Sequence, residues 1–167
     1  MKALIGLTLG THALLDRVGS WLPQLALRAI VGWEFFEAGL AKLGGENWFA
    51  AVQGNFPFPF SVLPVDLSWF LATWTELLGG IGIWLGLATR FWSAGLVILT
   101  VVAVAGVHWP AEWHTLGELW QGYAITDKGF GNYKLPLILL VMLMPLLWSG
   151  AGKASLDHLI RRYVERR

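Results

Sequence analysis

The sequence lacks cysteine and has few charged residues, and both shortages exclude classes of function. Without cysteine, the chain itself forms no disulfide, gives a metal no thiolate ligand and carries no thiol redox chemistry. Its net charge of +1, with the basic residues gathered toward the C-terminus, gives no basic groove for nucleic acid. The motifs of metalloprotease helices, P-loops, dinucleotide sites and serine-nucleophile elbows are missing too. A redox role would therefore need a bound cofactor or a partner.

Apolar residues dominate the chain. They make up 56% of its 167 residues, against 14% charged, which is more apolar than a soluble domain of this size usually hides. The surplus apolar surface should face lipid. Eleven tryptophans fit the aromatic belts that lie at the level of lipid headgroups. We therefore expect an all-α integral membrane protein, a bundle of four transmembrane helices with short interfacial helices.

Four apolar stretches approach the roughly 20 residues that cross a bilayer. We place the spans of this single domain, residues 1–167, at about 22–43, 69–87, 91–107 and 132–150. The segment before them is expected to be a short interfacial helix, with a cleaved signal peptide as the alternative. An amphipathic tail over 155–167, capped by Ser155, is expected on the inner membrane surface.

Basic residues predict the orientation of these spans. They gather before the first span, between the second and third, and after the fourth, at Lys2, Arg17, Arg90, Lys153, Arg161, Arg162, Arg166 and Arg167. By the positive-inside rule these regions are cytoplasmic. We expect a multi-pass protein of the bacterial inner (plasma) membrane with both termini in the cytoplasm. The outer connections carry acidic residues such as Asp127, and the first holds an aromatic segment, 56–60, expected as a lid or as an interfacial anchor.

Ionisable side chains within the spans form the candidate site, because a charge at the bilayer centre costs about 2.5–3.5 kcal/mol. The helix directions place Glu37 and Glu76 at similar depth, with Glu34 one turn below Glu37. Lys42 and His108 are expected near the same level. Such a cluster would share protons, hold the polar head of a ligand, or bind a cation through Glu37, Glu76 and His108. The structural alternative is that Glu76 pairs with Lys42 as a tether between helices while Glu34 is protonated.

Two further charges are predicted to meet at the inner end of the bundle. Arg28 begins the first span and Asp157 follows the fourth. An ion pair between them would tie the tail to the bundle.

Short motifs in a fixed order resemble those of the DoxX family. They are Arg28, then GLAKL at 39–43, ELLGG at 76–80, GLATR at 86–90 and GAGKASLD at 150–157. The resemblance covers nearly all of 25–162 and implies a four-helix protein of the bacterial inner membrane. The family is named after a subunit of a thiosulfate:quinone oxidoreductase. The resemblance assigns no catalytic role to the shared residues. The segments 65–69 and 107–110 more narrowly resemble DoxX-like proteins encoded beside maturation enzymes for copper-binding ribosomal peptides.

The resemblance implies two alternative functions. The first is a membrane partner or subunit, without catalytic activity of its own, in a copper-peptide or redox/detoxification pathway, with a membrane or periplasmic protein as its partner. The alternative is a quinone-reactive membrane subunit of an oxidoreductase of the thiosulfate:quinone type. Copper and quinone are accordingly the candidate cofactors, and no catalytic residue is assigned.

Overall fold

The computed structural model describes residues 2–124 and 131–167, the side chains of 2–9 excepted. The helices are α1 (Lys2–Gly19), α2 (Leu22–Leu43), α3 (Val65–Leu85), α4 (Thr89–Ala103), α5 (Leu116–Tyr123), α6 (Lys134–Ser149) and α7 (Leu156–Val164). A π-helical turn, Val104–His108, continues α4, and two 3-10 turns, Phe49–Ala51 and Gln53–Asn55, lie between α2 and α3. No strand occurs in these two ranges, which confirms the predicted all-α class.

Four of these helices surround one core. α2 packs along α3, α3 against α4, α4 against α6, and α6 against α2. Each helix contributes to a cluster of buried side chains: Val31, Phe35, Ile83, Leu96, Leu143 and Leu146. The cluster joins helices that are more than a hundred residues apart in sequence, so the burial of these side chains fixes the arrangement of the whole chain.

Glycines set the spacing of α3 from both of its neighbours. On one face, a Cβ on Gly80 would lie 2.8 Å from the backbone oxygen of Gly32 and 2.8 Å from the backbone nitrogen of Phe36. On another face, Gly79 and Gly82 meet the side chains of Leu96 and Trp92 in α4. Small residues at such contacts let helices approach closely. At Gly80, α3 meets the backbone of α2 directly.

The helices occupy the four predicted stretches with shifted ends. α3 begins at Val65 rather than 69, after Pro64 in an extended conformation, and it ends where Gly86 takes a left-handed φ of +64°. α4 with its π-helical turn runs to His108, one residue past the expected end, whereas α6 is shorter than 132–150. Asp127, counted among the acidic residues of the second outer connection, lies outside the described residues.

Large apolar side chains cover the outer faces of these helices, with Phe91 69%, Val141 64% and Trp148 73% exposed. One described helix is both long and apolar enough to cross a membrane, Thr89–His108 with 20 residues. α6 is apolar but shorter, α2 carries two acidic and two basic side chains, and α3 carries two acidic ones. One candidate span is therefore established by length and composition, and the four-span topology stays a prediction.

Candidate functional site

A buried ion pair joins α2 to α3. The Lys42 Nζ donates to both carboxylate oxygens of Glu76, at 2.8 Å to Oε1 and 2.7 Å to Oε2. The two side chains are 17% and 5% exposed. Gly39 makes the contact possible, since a Cβ there would come within 3.1 Å of the Glu76 Cβ. The two charges neutralise each other, so the pair presents a strong dipole with no net charge.

A cavity of about 710 Å³ opens beside this pair, among α2, α3, α4 and α6. Its volume lies in the range of sites for small molecules, roughly 300–1,000 Å³. Most of its wall is apolar, including Phe35, Leu71, Ile98, Leu99, Val102, Leu135, Pro136 and Leu139. The polar lining residues are Glu34, Lys42, Ser68, Thr75, Glu76, Thr100, His108 and Asn132. Mostly apolar walls with a few polar groups suit a ligand that is itself mainly apolar.

Four of the five predicted site residues line this cavity, and Glu37 does not. Glu34, Lys42, Glu76 and His108 are lining residues, whereas Glu37 is exposed and lies off the cavity wall. Consecutive helix residues point about 100° apart. Ala38 faces the cavity, and Glu37 is therefore rotated away from it. Glu34 and Glu37, three residues apart, differ by about 60°, which leaves Glu34 at the edge of the lining face and Glu37 off it.

His108 is held at the end of the π-helical turn. Its Nδ1 lies 2.6 Å from the Asn132 Oδ1. An amide oxygen only accepts hydrogen bonds, so Nδ1 is the donor in this contact. Asn132 was not singled out from the sequence, because the contact links two segments that only the packing of α4 and α6 brings together.

The three predicted metal ligands are not brought together as a set. Glu76 binds Lys42, Glu37 lies outside the cavity, and His108 binds Asn132. Over residues 2–124 and 131–167, no group of three or more histidine, aspartate or glutamate side chains is placed to hold a metal ion.

Ser68 is a site residue that the sequence analysis missed. It is 5% exposed, it lines the cavity, and its hydroxyl has no hydrogen-bond partner in the part of the chain described. It precedes Glu76 by eight residues, about 12 Å along the axis of α3. The signal that could have revealed it is the spacing of Ser68, Leu71 and Thr75, which places all three on one helical stripe.

Aromatic side chains from the α2–α3 connection cover one side of the cavity. Phe49 and Phe56 are 7% and 6% exposed, and their ring centroids are 5.2 Å apart. The amide nitrogen of Gln53 donates to the backbone oxygens of Phe60 and Leu63, which folds the segment back on itself. Phe56 fits against Gly106, where any side chain would collide with the ring.

The predicted lid segment 56–60 is therefore divided between two surfaces. Phe56 and Phe60 line the cavity, whereas Phe58 is 82% exposed and points away from it. The segment thus combines a cover for the cavity with an outward-facing aromatic side chain.

At the other end of the bundle, Arg28 binds the last turn of α3 and the segment 150–155, and Asp157 binds the start of α4. The Arg28 guanidinium donates to four backbone oxygens, those of Ile83, Trp84, Ala151 and Ala154, at 2.5–3.2 Å. The Asp157 carboxylate accepts from the backbone N–H groups of Ala88 at 2.7 Å and Thr89 at 2.9 Å. Among the described residues no direct ion pair joins the two. The predicted partners bind different backbone groups near the end of α3 and the start of α4, rather than each other.

Together, the fold and the cavity define an all-α protein with a lipid-compatible surface and an internal, mostly apolar binding cavity. The family model of DoxX matches residues 24–109, which include most of α2, all of α3 and α4, and the ion pair. A protein of Haemophilus influenzae described as uncharacterized is 43% identical over 145 residues, covering 87% of each chain. No solved structure matches. The chain belongs to the DoxX family, whose members are typically membrane-associated.

Proposed function

We propose that this DoxX protein crosses the bacterial inner membrane several times, with both termini in the cytoplasm, and binds an apolar ligand with a polar head in its cavity. A quinone is the ligand class that fits best. The observation that carries the proposal is the cavity itself, about 710 Å³ in volume, with apolar walls and a buried Lys42–Glu76 pair on one side.

The polar groups of the cavity supply what a quinone head requires. An ammonium group has three N–H donors, and the Lys42 Nζ uses two of them on Glu76. The third can donate to one carbonyl oxygen of a quinone. The unpartnered Ser68 hydroxyl is a second donor in the wall, about 12 Å from Glu76 along the axis of α3, so it suits a ring substituent or the start of the tail rather than the second carbonyl oxygen. The apolar walls suit the ring and the tail.

A cation fits the same residues less well. The charge of Glu76 is already neutralised by Lys42, and the exposed Glu37 is not available to the cavity. Glu34 and His108 remain in the lining, but in the part of the chain described no third histidine or carboxylate joins them to form a metal site. These contacts favour a ligand with a neutral polar head over copper.

A role as membrane partner in a copper-peptide or redox/detoxification pathway rests on the sequence resemblance, and it stays a prediction. It is compatible with a bound quinone, because a chain without cysteine needs a bound group to take part in redox chemistry. In that role the chain is a binding subunit, and a membrane or periplasmic protein is its partner.

A titration with a short-chain quinone tests the proposed function. Isothermal calorimetry on the purified protein in neutral detergent should show saturable binding to the wild type. Ala38→Phe should weaken binding by about tenfold or more, because the ring occupies the cavity at the position of a lining residue. Glu37→Gln is the matched control on the same helix, and its affinity should equal that of the wild type. Equal binding by all three proteins would overturn the proposal.

A further inference from the structure

A second cavity, about 450 Å³ in volume, lies at the opposite end of the bundle from the first. Its walls come from the start of α2, the start of α4, the segment 150–155 and α7. None of its lining residues lines the cavity of the proposed function, so the two sites can be tested separately.

Positive charge dominates this second cavity. Arg90, Lys153 and Arg161 line it, with Asp157 as its acidic residue. Both carboxylate oxygens of Asp157 already accept backbone N–H groups. Arg90 donates to the backbone oxygen of Trp148 and Lys153 to the Ser20 hydroxyl, each at 3.1 Å, so both keep further N–H groups. The cavity therefore offers an anion several donors that carry positive charge.

Buried polar atoms in its wall lack partners. Thr89 is 0% exposed, and its hydroxyl makes no hydrogen bond within the ranges that the structure describes. The Gln24 Oε1 is a second buried polar atom without a partner there. Leaving such a group unsatisfied costs about 1–3 kcal/mol. A phosphate oxygen would accept from the Thr89 hydroxyl, and a headgroup hydroxyl would donate to Gln24.

Apolar side chains lie next to these donors. Phe91 lines the cavity and is 69% exposed, and Trp148, whose backbone oxygen binds Arg90, is 73% exposed. A free anion would contact only the charged groups, whereas a lipid would contact the charged groups with its phosphate and the apolar side chains with its acyl chains. We propose that this cavity binds the phosphate of an anionic phospholipid headgroup, with the acyl chains along Phe91 and Trp148.

Native mass spectrometry of the full chain in neutral detergent, with added phosphatidylglycerol, tests the proposal. The double variant Arg90→Gln, Lys153→Gln should bind phosphatidylglycerol at least about tenfold more weakly, since it loses two charge-assisted contacts. The matched control Arg162→Gln, Arg166→Gln removes the same charge from exposed tail residues outside the cavity, and it should stay within about twofold of the wild type. Equal losses in the two double variants would overturn the site.

Two further measurements separate the alternatives. Thr89→Val keeps the shape and charge of the cavity, and it should weaken binding of phosphatidylglycerol by about threefold to tenfold. Unchanged binding by Thr89→Val would count against the assigned position of the phosphate. Inorganic phosphate should not displace the lipid, because it makes no apolar contact. If it binds as tightly as phosphatidylglycerol, the ligand is a soluble phosphate and the lipid proposal is wrong.

Discussion

Lys42 and Glu76 illustrate how a charged pair is kept among apolar helices. The Lys42 ammonium donates to both oxygens of the Glu76 carboxylate, and little of either side chain is exposed to solvent. Replacing such a pair by apolar residues of similar volume is often neutral or stabilising, whereas removing one partner costs about 3–5 kcal/mol. Stability alone is therefore a weak explanation for the Lys42–Glu76 pair. Binding of the ligand's polar head explains it better.

We predict that Glu76→Gln lowers the free energy of unfolding by about 3 kcal/mol, because it leaves the Lys42 ammonium buried and unpaired. The double variant Lys42→Met, Glu76→Gln should recover at least about half of that loss. Reversible denaturation in micelles measures both values, with the exposed Glu37→Gln as control. A double variant less stable than Glu76→Gln alone would contradict this account of the pair.

For Ser68, in contrast to Glu76, we predict that removing the polar group does not lower stability. Because its buried hydroxyl makes no hydrogen bond to the described residues, Ser68→Ala should leave stability unchanged or raise it by about 1 kcal/mol. The same change should weaken quinone binding by about threefold to tenfold. Thr100→Val is the contrasting variant, since the Thr100 hydroxyl donates to the Leu96 backbone oxygen at 2.7 Å. Thermal unfolding without ligand that shows a large loss for Ser68→Ala would indicate an unrecognised structural role.

At the scale of helices, the contact between α2 and α3 depends on the absence of side chains. Gly80 faces the backbone of α2 at a distance that leaves no room for a methyl group. Backbone atoms cannot rotate away as a flexible side chain can. Any residue larger than glycine at this position must push the two helices apart, and the Lys42–Glu76 contact lies on the same interface.

Gly80→Ala should therefore destabilise the protein by about 1–3 kcal/mol, through overpacking against Gly32 and Phe36. The matched control is Gly95→Ala in α4, where the new methyl group meets only Thr75 at 3.6 Å. That change should be neutral or stabilising, because alanine favours a helix over glycine by about 0.5–1 kcal/mol. Denaturation of the two variants side by side checks the contrast, and equal stabilities would refute the close backbone contact.

The sequence could predict the helices better than the site. The length of the apolar stretches located α2, α3, α4 and α6, but the ends of α3 depend on local geometry at Pro64 and Gly86. The cavity is enclosed by helices from distant parts of the chain, and neither its volume nor the unpartnered Ser68 follows from spacing alone. Glu37 shows the limit most clearly, since a rotation of about 60° from Glu34 takes its side chain off the cavity wall.

At the scale of the whole molecule, the arrangement in the membrane can be tested without background labelling, because the chain has no cysteine. Single cysteines replace exposed residues at the two ends of the bundle, Asn55→Cys and Glu112→Cys at one end, Ser149→Cys and Glu165→Cys at the other. A membrane-impermeant maleimide should label the first two in intact spheroplasts and the second two only after permeabilisation. Labelling of all four in intact spheroplasts would contradict the four-span topology with cytoplasmic termini.

The most direct test of the central claim is to locate a bound ligand. A photoreactive quinone analogue, activated on the protein in native membranes, should modify residues of the cavity, and peptide mass spectrometry should find the label near Phe49, Ile98 and Leu139. Excess unlabelled quinone should abolish the labelling, and Ala38→Phe should strongly reduce it. Label spread over outward-facing side chains such as Phe91 and Val141, unaffected by competition, would show that the cavity does not bind this class of ligand.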